Sequence, residues 1–261
     1  MDGFTERDVV RYDGRTRHAV IDRVATEAPF EMRIGSTPIA VLMRTPGMEL
    51  ELATGFCLTE GILLHPDEIV GIEQLDGDRF VLHLAEGVTV DPEQFRRNTY
   101  TTSSCGVCGK ASIDAVRVAS RPLPDGPRID QATVVALVSR LREVQHIFDA
   151  TGGLHGAALV DPEGEVLASA EDVGRHNAVD KAIGARARVG WPLGEVILVI
   201  SGRISFEIAQ KAAVAGIPIV IGVSAASSLA VELADEVGLT VAGFVRDGGF
   251  VVYAGESRIV D

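Results

Sequence analysis

The last third of the chain restricts the fold most. Val196-Ile197-Leu198-Val199-Ile200 is a short, wholly apolar run rich in β-branched residues, the composition of a strand buried on both faces. Ser201-Gly202-Arg203 then turns into a helical pattern over residues 205–215, Gly216 ends it, and residues 217–223 form a second apolar run. Ser224-Ala225-Ala226-Ser227-Ser228 opens another helix to about Glu236. A third strand over residues 239–245, a turn at Arg246-Asp247-Gly248-Gly249 and a last strand over residues 250–253 follow. Strand–helix–strand–helix–strand order predicts parallel pairing through right-handed crossovers, closed here by an antiparallel hairpin.

Ligands of such sheets collect at the carboxyl ends of the strands, where small-residue turns lead into helix N-termini. Ser201-Gly202-Arg203, Ser224-Ala225-Ala226-Ser227 and Phe244-Val245-Arg246-Asp247-Gly248-Gly249 all fall at that edge. Each offers free backbone N–H groups, hydroxyls or a guanidinium, which suit phosphate. An ordinary turn explains any one of them, because Gly and Ser are common in turns. Three on one edge point to a nucleotide-like anion. No GxGxxG and no Walker lysine loop occurs, so a standard dinucleotide or P-loop site is not indicated.

Upstream, residues 1–25 are charged and weakly patterned and read as a loosely attached arm. Residues 30–34 and 38–44 flank Gly35-Ser36-Thr37 as a hairpin, and residues 69–75 and 79–84 flank Asp76-Gly77-Asp78 as another. Between them, Thr45-Pro46 reads as an N-cap with proline at the first helical position, and the helix runs to about Thr59 before Gly61. Cys57 on that helix, beside Phe56 and Leu58, reads as a small buried hydrophobe. Arg121-Pro122-Leu123-Pro124-Asp125-Gly126-Pro127 is a connector. Asp130 caps a helix expected over residues 131–148, and residues 157–160 and 165–168 flank Asp161-Pro162-Glu163-Gly164 as a further hairpin. The expected class is therefore α/β. A small N-terminal α+β domain covers residues 1–100, an exposed CxxC loop and Pro-rich connector residues 101–128, and a larger α/β cofactor-binding domain residues 129–261.

Composition excludes several partners. A formal charge of −13 argues against nucleic acid, which needs a basic face. No run of eighteen apolar residues and no basic-then-apolar start is present, so no membrane association and a cytoplasmic location are expected. Three cysteines, unevenly spaced, do not make a secreted disulfide framework. Only three lysines occur, Lys110, Lys181 and Lys211. All lie in or beside candidate loops, so at least one is a candidate for meeting an anion. His155 and His176 read as standing on Gly-rich loops outside apolar faces, where a ligand, an acid–base group or a hydrogen-bonded surface histidine is possible.

Two cysteines sit together in Thr99-Tyr100-Thr101-Thr102-Ser103-Ser104-Cys105-Gly106-Val107-Cys108-Gly109-Lys110. With hydroxyls, glycines and no apolar period, this reads as an exposed loop. Accessibility and thiolate character decide whether a cysteine reacts. One CxxC supplies only two of the four ligands of a zinc site, leaving His155 and His176 to complete it. The H-x-E of the zinc deaminases would fall on His155-Gly156-Ala157, which lacks the glutamate, and no CxxC follows it. A thioredoxin-like pair would sit at a helix start after a βαβ strand, and no such strand precedes Cys105. Persulfide carriage fits better. A thiolate takes a sulfane sulfur by attacking an S–S bond and passes it to a second acceptor, with Lys110 favouring the anion.

Cys105-Gly106-Val107-Cys108-Gly109-Lys110, Thr151-Gly152-Gly153-Leu154-His155, Glu171-Asp172-Val173-Gly174-Arg175-His176-Asn177-Ala178-Val179-Asp180-Lys181, Ser201-Gly202-Arg203-Ile204-Ser205-Phe206-Glu207 and Ser227-Ser228-Leu229-Ala230-Val231-Glu232-Leu233-Ala234 together closely resemble the formate dehydrogenase accessory sulfurtransferases, the FdhD family. The match runs in order from about Glu27 to the C-terminus. The resemblance implies a sulfurtransferase for the molybdenum cofactor. A cysteine desulfurase loads sulfur onto the loop, and the carrier passes it to the metal of Mo-bis(molybdopterin guanine dinucleotide) before insertion into formate dehydrogenase. It further implies a homodimer and a C-terminal part similar in fold to cytidine deaminases without their zinc site. Cys105 would bear the persulfide, with Cys108 as its helper, and residues Phe244, Val245, Arg246, Asp247, Gly248 and Gly249 would bind the cofactor. Asp247 departs from what an anionic nucleotide favours, unless it points away or grips the guanine edge. A chaperone that hands over the cofactor without moving sulfur is the alternative.

Overall fold

A computed structural model of the chain describes residues 3–90 and 122–261. Its largest sheet has six strands. Val196 to Ile200 contributes the central strand β10 (Ile197–Ile200), which pairs in parallel with β11 (Ile219–Gly222), itself parallel to β12 (Thr240–Arg246). β13 (Gly249–Ala254) returns antiparallel on β12. On the other side β8 (His155–Val160) runs antiparallel to β10 and carries β9 (Val166–Asp172) as the far edge, giving the order β13-β12-β11-β10-β8-β9.

Alternation within the apolar runs serves both faces. Leu198 and Ile200 pack towards α4 (Arg175–Ala187), α5 (Phe206–Ala215) and α6 (Ser228–Val237), while Ile197 and Val199 pack under α2 (Gln131–Glu143). Asp130 caps α2 by accepting from the Thr133 amide at 2.7 Å. That helix ends five residues sooner than the continuous pattern to Phe148 predicts, because α3 (His146–Thr151) begins afresh. The reason is tertiary. The Glu171 carboxylate accepts from the amides of Ile147 and Phe148 at 2.8 and 2.7 Å, capping a new helix start at its positive end.

The N-terminal residues build a four-stranded sheet, β4-β3-β6-β5, from the two expected hairpins: β3 (Ala28–Ile34) with β4 (Thr37–Arg44), and β5 (Ile69–Asp76) with β6 (Arg79–Leu84). Helix α1 (Glu49–Thr59) covers it through Leu52, Ala53 and Cys57. Thr45 does not cap this helix; Met48, in the left-handed conformation, precedes it. The opening segment is a hairpin of β1 (Phe4–Asp13) and β2 (Thr16–Ala25), largely exposed on both faces. That double exposure explains why its sequence shows no alternation. Two-residue strands β7 (Ile129–Asp130) and β14 (Ile259–Val260) pair in parallel and tie the C-terminus to the start of α2.

Helices α1 and α4 lock the two sheets together. They cross at Gly55 and Gly184, where a β-carbon on either would strike the other helix's backbone. Around this contact lie two buried charge clusters. Lys181 reaches Asp172 at 2.7 Å and the Thr45 carbonyl at 2.8 Å. Lys211 reaches Asp180 at 2.9 Å, Thr59 at 2.9 Å and Glu60 at 3.1 Å. Two of the three lysines weighed as partners of an anionic ligand, Lys181 and Lys211, therefore meet the protein's own carboxylates, the arrangement that buried ammonium groups need. Thr45 belongs to the first cluster: its hydroxyl accepts from the Val173 amide at 3.2 Å, and its own amide donates to Asp172 at 3.1 Å. No helix among the described residues is long and apolar enough to cross a membrane.

Candidate functional site

The three turns singled out in the sequence do meet on one edge. The Ile204 amide donates to the Ala225 carbonyl and the Ser227 amide to the Ile204 carbonyl, both at 3.0 Å, joining the turn after β10 to the turn after β11. The Phe244 amide donates to the Ser224 carbonyl at 3.1 Å and joins the third. Gly222 and Gly243 permit this lacing, since a β-carbon would press on Ile204 at the first and on the Ser224 carbonyl at the second. Ser227 caps α6 through the Ala230 amide.

At the third turn, the candidate residues separate by role. The β12–β13 register slips between Gly243 and Arg246, and Phe244 takes a φ of 52°, which swings its ring outward to 39 % exposure. The Arg246 guanidinium lies 5.7 Å from that ring, within cation–π range. Asp247 (φ 52°) and Gly248 (φ 78°) make the tight reversal, and both are exposed with Gly249. Val245 points the other way, 1 % exposed in the core under α2, so only its backbone faces the edge. An exposed ring with a guanidinium beside it is a stacking platform.

Antiparallel β8 and β9 bring further residues to the same edge. His155 begins β8 and is half-buried; burial, then the Arg175 charge, then His176, hold its imidazole below the ordinary histidine range, opposed by Asp172. Arg175 opens α4, and its side chain lies against Gly202, close to His155. Its Nε is buried without a hydrogen-bond partner, and among the described residues no carboxylate pairs with it. His176 sits in the first turn of α4, with Nε2 at 2.9 Å from Glu207 and 3.4 Å from Ser205 Oγ. Both histidines thus stand on regular elements rather than in loops. Pattern reasoning quoted Arg175 and Glu207 within motifs but gave them no role, because only the crossing of two elements shows what each faces.

Cys57 is fully buried, and burial, then the charges of Asp180 and Glu60, push its thiol up, beyond reach of ordinary thiolate chemistry. Cys105, Cys108 and Lys110 lie outside the described residues. Among the described residues no group of three or more His, Cys, Asp or Glu is arranged to hold a metal ion.

A family model, FdhD/NarQ, matches residues 25–260. The sulfur carrier protein FdhD of Streptomyces avermitilis is 48% identical over 251 residues, covering 91% of this chain and 89% of that one. The chain belongs to the FdhD/NarQ family. Other members agree in extent. The sulfur carrier protein FdhD of Mycobacterium tuberculosis is 45% identical over 270 residues, covering 94% of this chain and 97% of its own. That of Anaeromyxobacter dehalogenans is 43% identical over 271 residues, covering 97% and 93%. A crystal structure from Desulfotalea psychrophila, described as a proposed formate dehydrogenase accessory protein, shares the fold with a TM-score of 0.78 at 22% identity, covering 98% of this chain and 99% of that one. The family match takes in the cysteine pair and the edge built above, and begins at the end of the β1–β2 hairpin.

Proposed function

We propose that the chain is a sulfurtransferase of formate dehydrogenase maturation, carrying sulfur to the molybdenum cofactor. The observation that carries this reading is family membership over residues 25–260, with relatives named as sulfur carriers at 43–48% identity along nearly their whole length. Cys105 is the carrier atom's host. Its thiolate attacks the outer sulfur of a cysteine desulfurase persulfide, a new S–S bond forms, and the donor thiolate leaves with the electron pair of the bond that breaks. When the sulfur moves on, the electron pair returns to Cys105 as thiolate. Cys108 assists as the neighbouring thiol, and Cys57, buried with a raised pKa, takes no part.

Mo-bis(molybdopterin guanine dinucleotide) is the substrate. Phe244, Arg246, Asp247, Gly248 and Gly249, with the Val245 backbone, form its guanine nucleotide station. The exposed Phe244–Arg246 pair supports this, since it suits stacking on a base. Asp247, exposed at the turn, is placed to accept from the donor edge of guanine rather than to face phosphate. The partners are a cysteine desulfurase and formate dehydrogenase, the working unit a homodimer, and the compartment the cytoplasm, where reduced thiols persist. The mixed sheet with α4, α5 and α6 on one face is of the cytidine deaminase kind. Residues 1–100 and 129–261 act as its two domains, with residues 101–128 as the cysteine loop and connector.

The test is mass spectrometry after incubation with a desulfurase and cysteine. One added sulfur on Cys105 is expected. Unmodified wild type, or a Cys105→Ala chain that still restores formate dehydrogenase in a null strain, sinks the sulfurtransferase reading and leaves cofactor handover without sulfur transfer.

A further inference from the structure

The β1–β2 hairpin is an arm. Its two ten-residue strands pair along their whole length, from Phe4 with Ala25 to Asp13 with Thr16, and reach about 34 Å. The body holds it at the base. The Thr26 amide donates to the Gly3 carbonyl at 3.0 Å, Ile147 of α3 lies against Gly3, and Ala25 lies against Gly153. Beyond that base both faces are largely exposed and, among the described residues, both edges are unpaired. A two-stranded hairpin alone is marginal in water, and a long open edge beside apolar side chains invites another chain.

The cross-strand register puts Val10 beside Ala19, with Tyr12 and Ile21 next along the same face. Tyr12 is 67 % and Ile21 69 % exposed, so a strand pair otherwise rich in charge carries an open apolar patch. Around that patch the charge runs against the rest of the chain. Residues 4–25 hold five arginines against four carboxylates, a net charge of +1 within a chain of −13, which leaves −14 on the body. Arg11 faces Asp22 and Arg23 faces Glu6 inside the arm, both at 3.7 Å, while Arg7, Arg15 and Arg17 meet no carboxylate among the described residues. An apolar patch flanked by free guanidinium groups fits an acidic surface. The body of this same chain is one.

We propose that the arm clasps a second copy of this chain, laying Val10, Tyr12 and Ile21 on the acidic body of that copy, whose own arm does the same in return. The inference rests on the homodimer reading above and gives it a surface. The FdhD/NarQ match begins at residue 25, so the arm lies outside what the family model describes. Area favours a second copy over an unlike partner. One face of the arm covers about 340 Å², from a length of about 34 Å and a width of about 10 Å for two strands. With as much again on the surface beneath, one arm buries about 700 Å², short of what a stable interface needs. Two arms related by a two-fold axis bury about 1,400 Å², within the stable range.

Sedimentation velocity on the full chain tests this. Wild type should sediment as a dimer at micromolar concentration. Tyr12→Asp combined with Ile21→Asp puts charge into the contact and should raise the dimer dissociation constant at least about a hundredfold. The monomer so formed should keep the far-ultraviolet spectrum of wild type, because both side chains are exposed in the single chain. A second measurement leaves the arm otherwise intact: a benzophenone probe in place of Ile21 should, on irradiation, give a covalent dimer linked to the body of the second copy. A dimer that survives the double substitution, or a probe that reaches no body residue of a second copy, overturns the arm, leaves the homodimer reading standing and passes the exposed face to an unlike partner. A wild-type chain that sediments as a monomer refutes the arm and the homodimer together.

Discussion

Gly184→Ala should separate the two halves of the molecule. A β-carbon there would stand 2.8 Å from both the Glu51 carbonyl carbon and the Gly55 amide nitrogen, and nearer still to the Glu51 carbonyl oxygen. Heavy atoms pack at about 3.5–4.0 Å, and the Glu51 carbonyl oxygen is the nearest, so α1 and α4 must part by about 1.5–2 Å. On a free helix the substitution stabilises by about 1 kcal/mol, through the higher helix propensity of alanine. Here overpacking costs about 1–3 kcal/mol. Parting also lengthens the contacts of Lys211 with Asp180, Thr59 and Glu60, whose complete rupture would cost about 3–5 kcal/mol. A partial loss added to the steric term exceeds the propensity gain, and the net expectation is destabilisation of about 2–4 kcal/mol. For a chain of this size that lowers the thermal midpoint by about 4–16 °C. Circular dichroism melts of the full chain measure it, with Gly194→Ala as control. Gly194 has no positive φ, a β-carbon there meets nothing within 4 Å, and its change should stay within about 0.5 kcal/mol. A Gly184→Ala midpoint at or above wild type would show that propensity wins and that the helix contact yields freely.

Three further outcomes follow from particular groups. With Cys105 and Cys108 both changed to alanine, Cys57 is the only thiol left of three; it should resist a disulfide reagent at pH 8 until denaturant is added, and rapid native labelling would contradict its burial and raised pKa. His155 has its folded pKa below the ordinary histidine range, so below about pH 6.5 the unfolded chain binds the proton first and stability falls with falling pH until the folded value is passed. His155→Gln should therefore lose less thermal stability between pH 7 and pH 5 than wild type, and an unchanged pH slope would assign the loss to other groups. Glu171→Ala removes the acceptor of two α3 amides and should cost about 1–2 kcal/mol; hydrogen exchange at Ile147 and Phe148 should quicken, and unaltered protection there would show that the helix start needs no carboxylate.

Much of this was legible in residue pattern. The apolar runs around Leu198, Val220 and Val241 gave a parallel core sheet with turns at its carboxyl edge, because strands buried on two faces cannot tolerate polar residues. The hairpins at Gly35 and Gly77 were equally visible, since reversals of this kind draw on few residue types. Other features were not. The break between Glu143 and His146 depends on Glu171, which is remote in sequence. Thr45 had the local signature of a helix cap and serves instead as a partner of Asp172 and Val173. Lys181 and Lys211 stood beside glycine-rich or apolar segments without any mark of the carboxylates that await them.

At the edge itself, the sequence placed Ser201, Ser224 and Phe244 at strand ends, and the family resemblance named Cys105. Local periodicity and turn chemistry act within a few residues, so a sequence carries them openly. What only the tertiary structure decided was which groups face one another: Val245 turned inward while Phe244 stands out, Arg175 laid beside Gly202 and His155, Gln145 left with an unanswered donor. Those relations arise from packing between segments far apart in the chain, where burial and pairing fix a side chain's role and residue type alone does not.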